Sequence, residues 1–185
     1  MNTSQHETWM KIALNEAQRA FEMGEVPVGA IVVKSNHIIG KGYNQCEMLK
    51  DATAHAEMIA ITAAANTLDD WRLNGCILYV TKQPCLMCMG AILNSRIEQL
   101  YYGAVDKDSE SNEELLLSIK DSHLKYVEGG ILLAECQKII QKFFLKKHSS
   151  AYKPNKPKSF GMYLEKSWYS LELKKKPEEN LFHII

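Results

Sequence analysis

The chain has 185 residues, 46% hydrophobic and 24% charged, with no net charge, which suits one globular domain with an extension and excludes a wholly disordered chain. No uncharged apolar run approaches the roughly 20 residues of a membrane span. The opening MNTSQHETWMKIALNEAQ lacks a basic start followed by an apolar stretch, so a cytoplasmic protein with no membrane association is expected.

The elements follow in chain order. Trp9, Ile12, Ala13, Ala17, Ala20 and Phe21 recur at three- and four-residue steps, predicting an amphipathic helix that Gly24 ends, with Pro27 just beyond. VGAIVVK is β-branched and reads as a strand. Ser35-Asn36 is its turn and HIIGKGYN its hairpin partner. A loop, QCEMLKDAT, precedes a helix AHAEMIAITAAAN that Thr53 is placed to cap. ILYVT is a third strand. Pro84 opens the next helix, CLMCMGAILNS, since proline tolerates a first turn. QLYYGAV is a fourth strand, SNEELLLSI a short helix, LKYVEG a fifth strand and ILLAECQKIIQKFFLKK a long amphipathic helix. Strands alternating with helices predict an α/β fold with a sheet covered on both faces.

The neutral total hides an asymmetry. Residues 1–137 hold 11 Lys/Arg against 18 Asp/Glu, whereas residues 138–185 hold 11 Lys against 4 Glu. KPNKPK at 153–158 reads as a linker, so the expected division is a domain at 1–150 and a basic C-terminal tail at 151–185. Tyr163, Trp168 and Tyr169 stand among the tail's lysines. Such aromatics stack on bases or pin a tail to its domain. His6, His37, His148 and His183 have no partner visible in the sequence and are expected at the surface.

Five cysteines make an odd count, which with no secretory signal argues against a disulfide framework. Only Cys85 and Cys88 have metal-ligand spacing. At a helix start this spacing puts both sulfurs on one face, where the helix dipole favours thiolates. Alone the pair reads as redox-active, as half of a structural zinc site, or as two of three ligands of a catalytic zinc. His55 is the candidate third ligand. Three protein ligands leave a position for water, whose pKa zinc lowers to about 7. Glu57 is then the natural general acid/base. Residues i and i+2 do not face each other on a regular helix, so spacing alone does not join His55 and Glu57. The combination does: His-x-Glu opening one helix and Pro-Cys-x-x-Cys opening the next, with a strand between, is the signature of zinc deaminases.

Over about residues 5–147 the chain resembles the bacterial tRNA adenosine deaminase family. The matching segments are EVPVGAIVV, the GYNQ around Asn44, DATAHAEMIAI, DDWRLNGCILYVTKQPCLMCMGAILNSRI, YYGAVD and EGGILLAEC. The resemblance implies a three-layer α/β/α sandwich with a mixed five-stranded sheet, the cytidine deaminase-like fold. It implies adenosine-to-inosine conversion at the wobble position of tRNA, with the anticodon arm as partner and a homodimer as the working unit. His55, Cys85 and Cys88 would bind Zn²⁺ and Glu57 would shuttle protons. Asn44, Val28, Ala54 and Pro84 would contact the base, with Pro27 and Gly29 beside them. His123 falls where the family often has an Asn-His pair.

Three departures stand out. Gln83 replaces the family's usual Glu before Pro-Cys, keeping hydrogen bonding without charge. The loop DKDSESNEELLLS is acidic and lacks glycine, and acids near phosphate weaken RNA binding. Residues 148–185 extend beyond the usual family end, and their lysines offset that loss. The alternative reading is a small-molecule deaminase acting on guanine, cytosine or a nucleoside. A zinc-stabilised binding domain without activity is disfavoured by the intact Glu57.

Overall fold

The computed structural model describes residues 3–105 and 123–148. Helix α1 (Thr3–Met23) buries Ala13, Ala17 and Ala20 of the predicted stripe, leaves Trp9, Ile12 and Phe21 half-buried, and buries Met10 outside it. It stops where Gly24 turns left-handed at φ 81°, a conformation open to glycine at little cost. Strands β1 (Gly29–Lys34) and β2 (His37–Tyr43) form the expected antiparallel hairpin. Its turn residues Ser35 and Asn36 both have positive φ, matching the twist of the strands they join. The segment expected as plain loop contains one turn of helix, α2 (Cys46–Leu49), before α3 (Ala56–Leu68). Then come β3 (Ile77–Lys82), α4 (Leu86–Asn94), β4 (Gln99–Ala104), β5 (Tyr126–Glu128) and α5 (Leu133–His148). The acidic loop, the predicted helix SNEELLLSI and the tail lie outside the described residues.

The sheet order is β2-β1-β3-β4-β5. β1 pairs antiparallel with both β2 and β3, whereas β3–β4 and β4–β5 are parallel. The sheet is therefore mixed, as expected. Both faces are covered, which is why β1 and β3 read as continuous apolar runs. On one face Ala30, Val32, Leu78, Val80, Leu100 and Tyr102 pack with α3 and α4 residues such as Ala60, Met89 and Ile92. On the other, Ile31, Val33, Tyr79 and Tyr101 meet Met10 and Ala13 of α1 and Cys136 of α5. The result is the three-layer α/β/α sandwich.

Small residues set how closely the helices approach. A β-carbon at Gly29 would overlap the backbone of Ala13 and Ala17. One at Gly42 would overlap the carbonyl of Ala56 and the amide of Ala60. Glycine opposite alanine thus lets α3 lie close on β2, beginning at its first residue, Ala56. Side-chain size, a local property, here positions the start of the helix that carries His55 and Glu57.

Candidate metal centre and active site

The site forms where two helices begin. His55 is the N-cap residue of α3 and Cys85 the N-cap residue of α4, both in extended backbone. N-cap side chains ordinarily fold back to bond their own helix amides. Neither His55 nor Cys85 does so. Instead His55 Nδ1 lies 3.6 Å from Cys85 Sγ and 3.4 Å from Cys88 Sγ. The three ligand atoms all fall within 4.8 Å of one another, a cluster able to hold a metal ion. Cys88 sits in the first turn of α4, so the Cys-x-x-Cys spacing brings both sulfurs to one side, as expected. Each helix start also carries the partial positive charge that favours thiolates.

Two expected details of these helix starts are different. Thr53 does not cap α3: its N–H and Oγ1 both bond Asp51 Oδ1, at 2.8 and 2.7 Å. The aspartate two residues earlier offers the nearer acceptor, and the chain needs two more residues to reach the helix. Pro84 precedes the cap of α4 rather than standing in its first turn, and is buried. There it holds the approach to Cys85 extended, since proline fixes its own backbone angle.

Glu57, the second residue of α3, is 3% exposed. Burial raises its carboxyl above the usual carboxylate range, opposed by its backbone N–H, by a hydrogen bond with Cys88 and by the charge of Lys82. Burial also lowers the pKa of His55, with Lys82 adding to it, so the imidazole favours the neutral form that ligates metals. The Cys88 thiol is pushed up by burial and by the charges of Glu57 and Cys85. A cation would offset that repulsion. Lys82, at the end of β3, was not singled out by the sequence reading. Its only signal was its place two residues before Pro84.

The remaining expected residues are distributed as follows. Asn44 is buried at the end of the hairpin, where its N–H donates to the Val28 carbonyl at 3.1 Å. Its Oδ1 accepts the N–H of Ala56 at 2.9 Å, which ties the hairpin to the first residue of α3. Ala54 and Val28 are buried, and the Ala54 carbonyl accepts the N–H of Gln45 at 3.0 Å. Gln83 is buried, its N–H donating to the Ala104 carbonyl at 2.8 Å. His123 is exposed. His6 departs from the surface position expected of it: it is buried, 2.9 Å from Tyr79 Oη, with its ring stacked on Tyr101.

With this geometry in view, the family described as MafB19-like deaminase matches residues 4–148. A tRNA-specific adenosine deaminase of Buchnera aphidicola is 44% identical over 150 residues, covering 80% of this chain and 99% of that protein. The enzyme of the same name from Bacillus subtilis is 39% identical over 157 residues, 82% of this chain and 98% of its own. A solved structure from work on A-to-I editing by tRNA:A34 deaminases superposes with a TM-score of 0.67 at 39% identity, covering 71% of this chain and 98% of that one. A guanine deaminase structure from B. subtilis gives 0.54 at 38% identity, covering 60% and 70%. On the identity and near-complete coverage of these relatives, together with the His-Cys-Cys cluster at two helix starts, the chain belongs to the deaminase family and within it to the tRNA-specific adenosine deaminases.

Proposed function

We propose that this protein is a zinc-dependent hydrolase that converts adenosine to inosine at the wobble position of a tRNA anticodon arm. The observation that carries the reading is the meeting of Glu57 with His55, Cys85 and Cys88 at two helix N-termini. The donor set suits zinc: an imidazole nitrogen and a thiolate sharing one tetrahedral zinc stand about 3.5 Å apart, given bonds of about 2.0 and 2.3 Å. The Nδ1 to Sγ distances of 3.6 and 3.4 Å agree with that spacing. Held by His55, Cys85 and Cys88, zinc would supply a water acidified to near neutral pH.

The chain's own residues supply the rest. The reaction adds water at C6 of adenine and releases the exocyclic amine as ammonia. Glu57 takes one proton from the water and delivers it to N1 of the base, then takes the proton of the new C6 hydroxyl and delivers it to the amine as the C6–N bond breaks. A carboxyl whose pKa burial has raised is suited to both tasks near neutral pH. Asn44, its Oδ1 engaged by Ala56, turns the rest of its amide to the base, with Val28, Ala54 and Pro84 as walls. A homodimer is supported by Leu86 and Met87, which are exposed on the first turn of α4 beside Cys85. In this reading residues 1–150 form the domain, and the basic tail at 151–185 supplies lysines for tRNA phosphates. Such a substrate places the enzyme in the cytoplasm.

The test is inosine formation on an unmodified tRNA carrying adenosine at the wobble position. Wild type should form it. Glu57→Ala should lose roughly 10²–10⁴-fold or more in turnover while keeping zinc, since Glu57 is not a ligand. A truncation after residue 150 should raise KM. The guanine deaminase neighbour supports a second reading: no inosine from zinc-loaded protein, with ammonia released from guanine, would establish that one instead.

A further inference from the structure

Glu25 is a buried carboxylate that the deamination step does not use. Its backbone is set by the end of α1: the Glu25 N–H donates to the Ala20 carbonyl at 2.9 Å, across the left-handed turn at Gly24. Its side chain reaches a segment 22 and 23 residues further along. Oε2 accepts the N–H of Glu47 at 3.1 Å and Oε1 that of Met48 at 2.7 Å. Both amides belong to the first turn of α2, whose own N-cap residue, Gln45, forms no side-chain cap. Glu25 thus provides from α1 the acceptors that α2 lacks locally. The two bonds close amides that a helix start otherwise leaves open.

The helix it holds lies within the loop that joins Asn44 to Ala54. The two ends of that loop are tied by the Gln45 N–H to the Ala54 carbonyl and by Asn44 Oδ1 to the Ala56 N–H. Between these ties lies α2, which presents Met48 and Leu49 to solvent. We propose that Glu25 is a positioning residue: its clamp on α2 sets the rim of the pocket against which nucleotides flanking the reacting base are held. The proposal rests on the tRNA reading above for its substrate, whereas the clamp itself does not.

Two readouts on the full, zinc-loaded chain test it. Hydrogen exchange at the Glu47 and Met48 amides should be about tenfold faster or more in Glu25→Gln, while the α3 amides keep their protection. On tRNA the same variant should raise KM about tenfold with kcat within about twofold and zinc content unchanged. Glu25→Asp keeps the charge but withdraws it by one methylene, and should recover part of both losses. Unchanged exchange would overturn the clamp. Faster exchange with an unchanged KM, or a fall in kcat alone, would overturn the positioning role. A wild type that forms no inosine would overturn the tRNA reading and the kinetic role with it, leaving exchange to judge the clamp.

Discussion

One sheet carries a histidine against each of its faces, half-buried His55 on one and buried His6 on the other, and their surroundings differ. His55 stands on the α3 and α4 side with Nδ1 turned to two sulfurs. His6 stands on the α1 and α5 side, bonded to Tyr79 Oη and stacked 4.0 Å from the Tyr101 ring, itself stacked on Tyr79. Burial lowers the pKa of both. The difference lies in the partners. Thiols beside His55 make a cluster able to hold a metal ion, with the Glu57 carboxyl next to it. Phenols raised in pKa by burial make a packed aromatic cluster. A histidine whose pKa burial lowers is therefore not a functional mark until its neighbours are known.

Removing a ligand should have the largest effect. His55→Ala or Cys85→Ala should lose zinc and activity together, read by metal analysis and inosine formation. His6→Phe should keep both. A catalytic loss in His6→Phe at full zinc content would mean that the two faces are not separate in function.

A smaller effect tests how the site face is held. Gly42→Val drives a side chain into the α3 backbone at Ala56 and Ala60. A cost on the order of 3 kcal/mol is expected in denaturant unfolding. Zinc affinity should fall as well, because Ala56 follows His55 directly. Full stability would show that α3 shifts to make room.

The smallest effect concerns the other face. His6→Phe keeps the stack and removes the bond to Tyr79, costing about 1 kcal/mol at neutral pH. The pKa of His6 is lower folded than unfolded, so the unfolded chain binds the extra proton first. Its contribution to stability is therefore whole above about pH 6.5 and is lost as pH falls below it, levelling off beneath the folded value. Wild type and His6→Phe should converge in stability as pH falls through that window. A constant gap would show that His6 does not titrate on unfolding.

Much of this was legible from residue order. The hairpin turn at Ser35-Asn36, the apolar stripe of α1 and the runs of β1 and β3 follow from local rules that need no partner. The metal cluster was legible because Cys85 and Cys88 share one helix turn and because the two motifs occur together. His6 was misplaced because its partners, Tyr79 and Tyr101, are strand residues far along the chain, and nothing in its own neighbours reports them. Thr53 was read as a cap because a hydroxyl before a helical pattern ordinarily is one. Asp51 competes for that hydroxyl, and a propensity cannot weigh such a local contest.

What the sequence determined by itself was which chemistry the chain carries: periodicity specifies the elements, and residue type specifies which side chains ligate, donate or titrate. What only the tertiary structure decided was which of them meet. His55 and Cys85 are 30 residues apart, Glu25 and Met48 are 23 apart, and His6 and Tyr79 are 73 apart. Each meeting depends on how closely helices settle on the sheet and on the direction in which each strand runs. Those are properties of packed surfaces, because a side chain's hydrogen-bond partners and its distance from water exist only once the layers have closed around it.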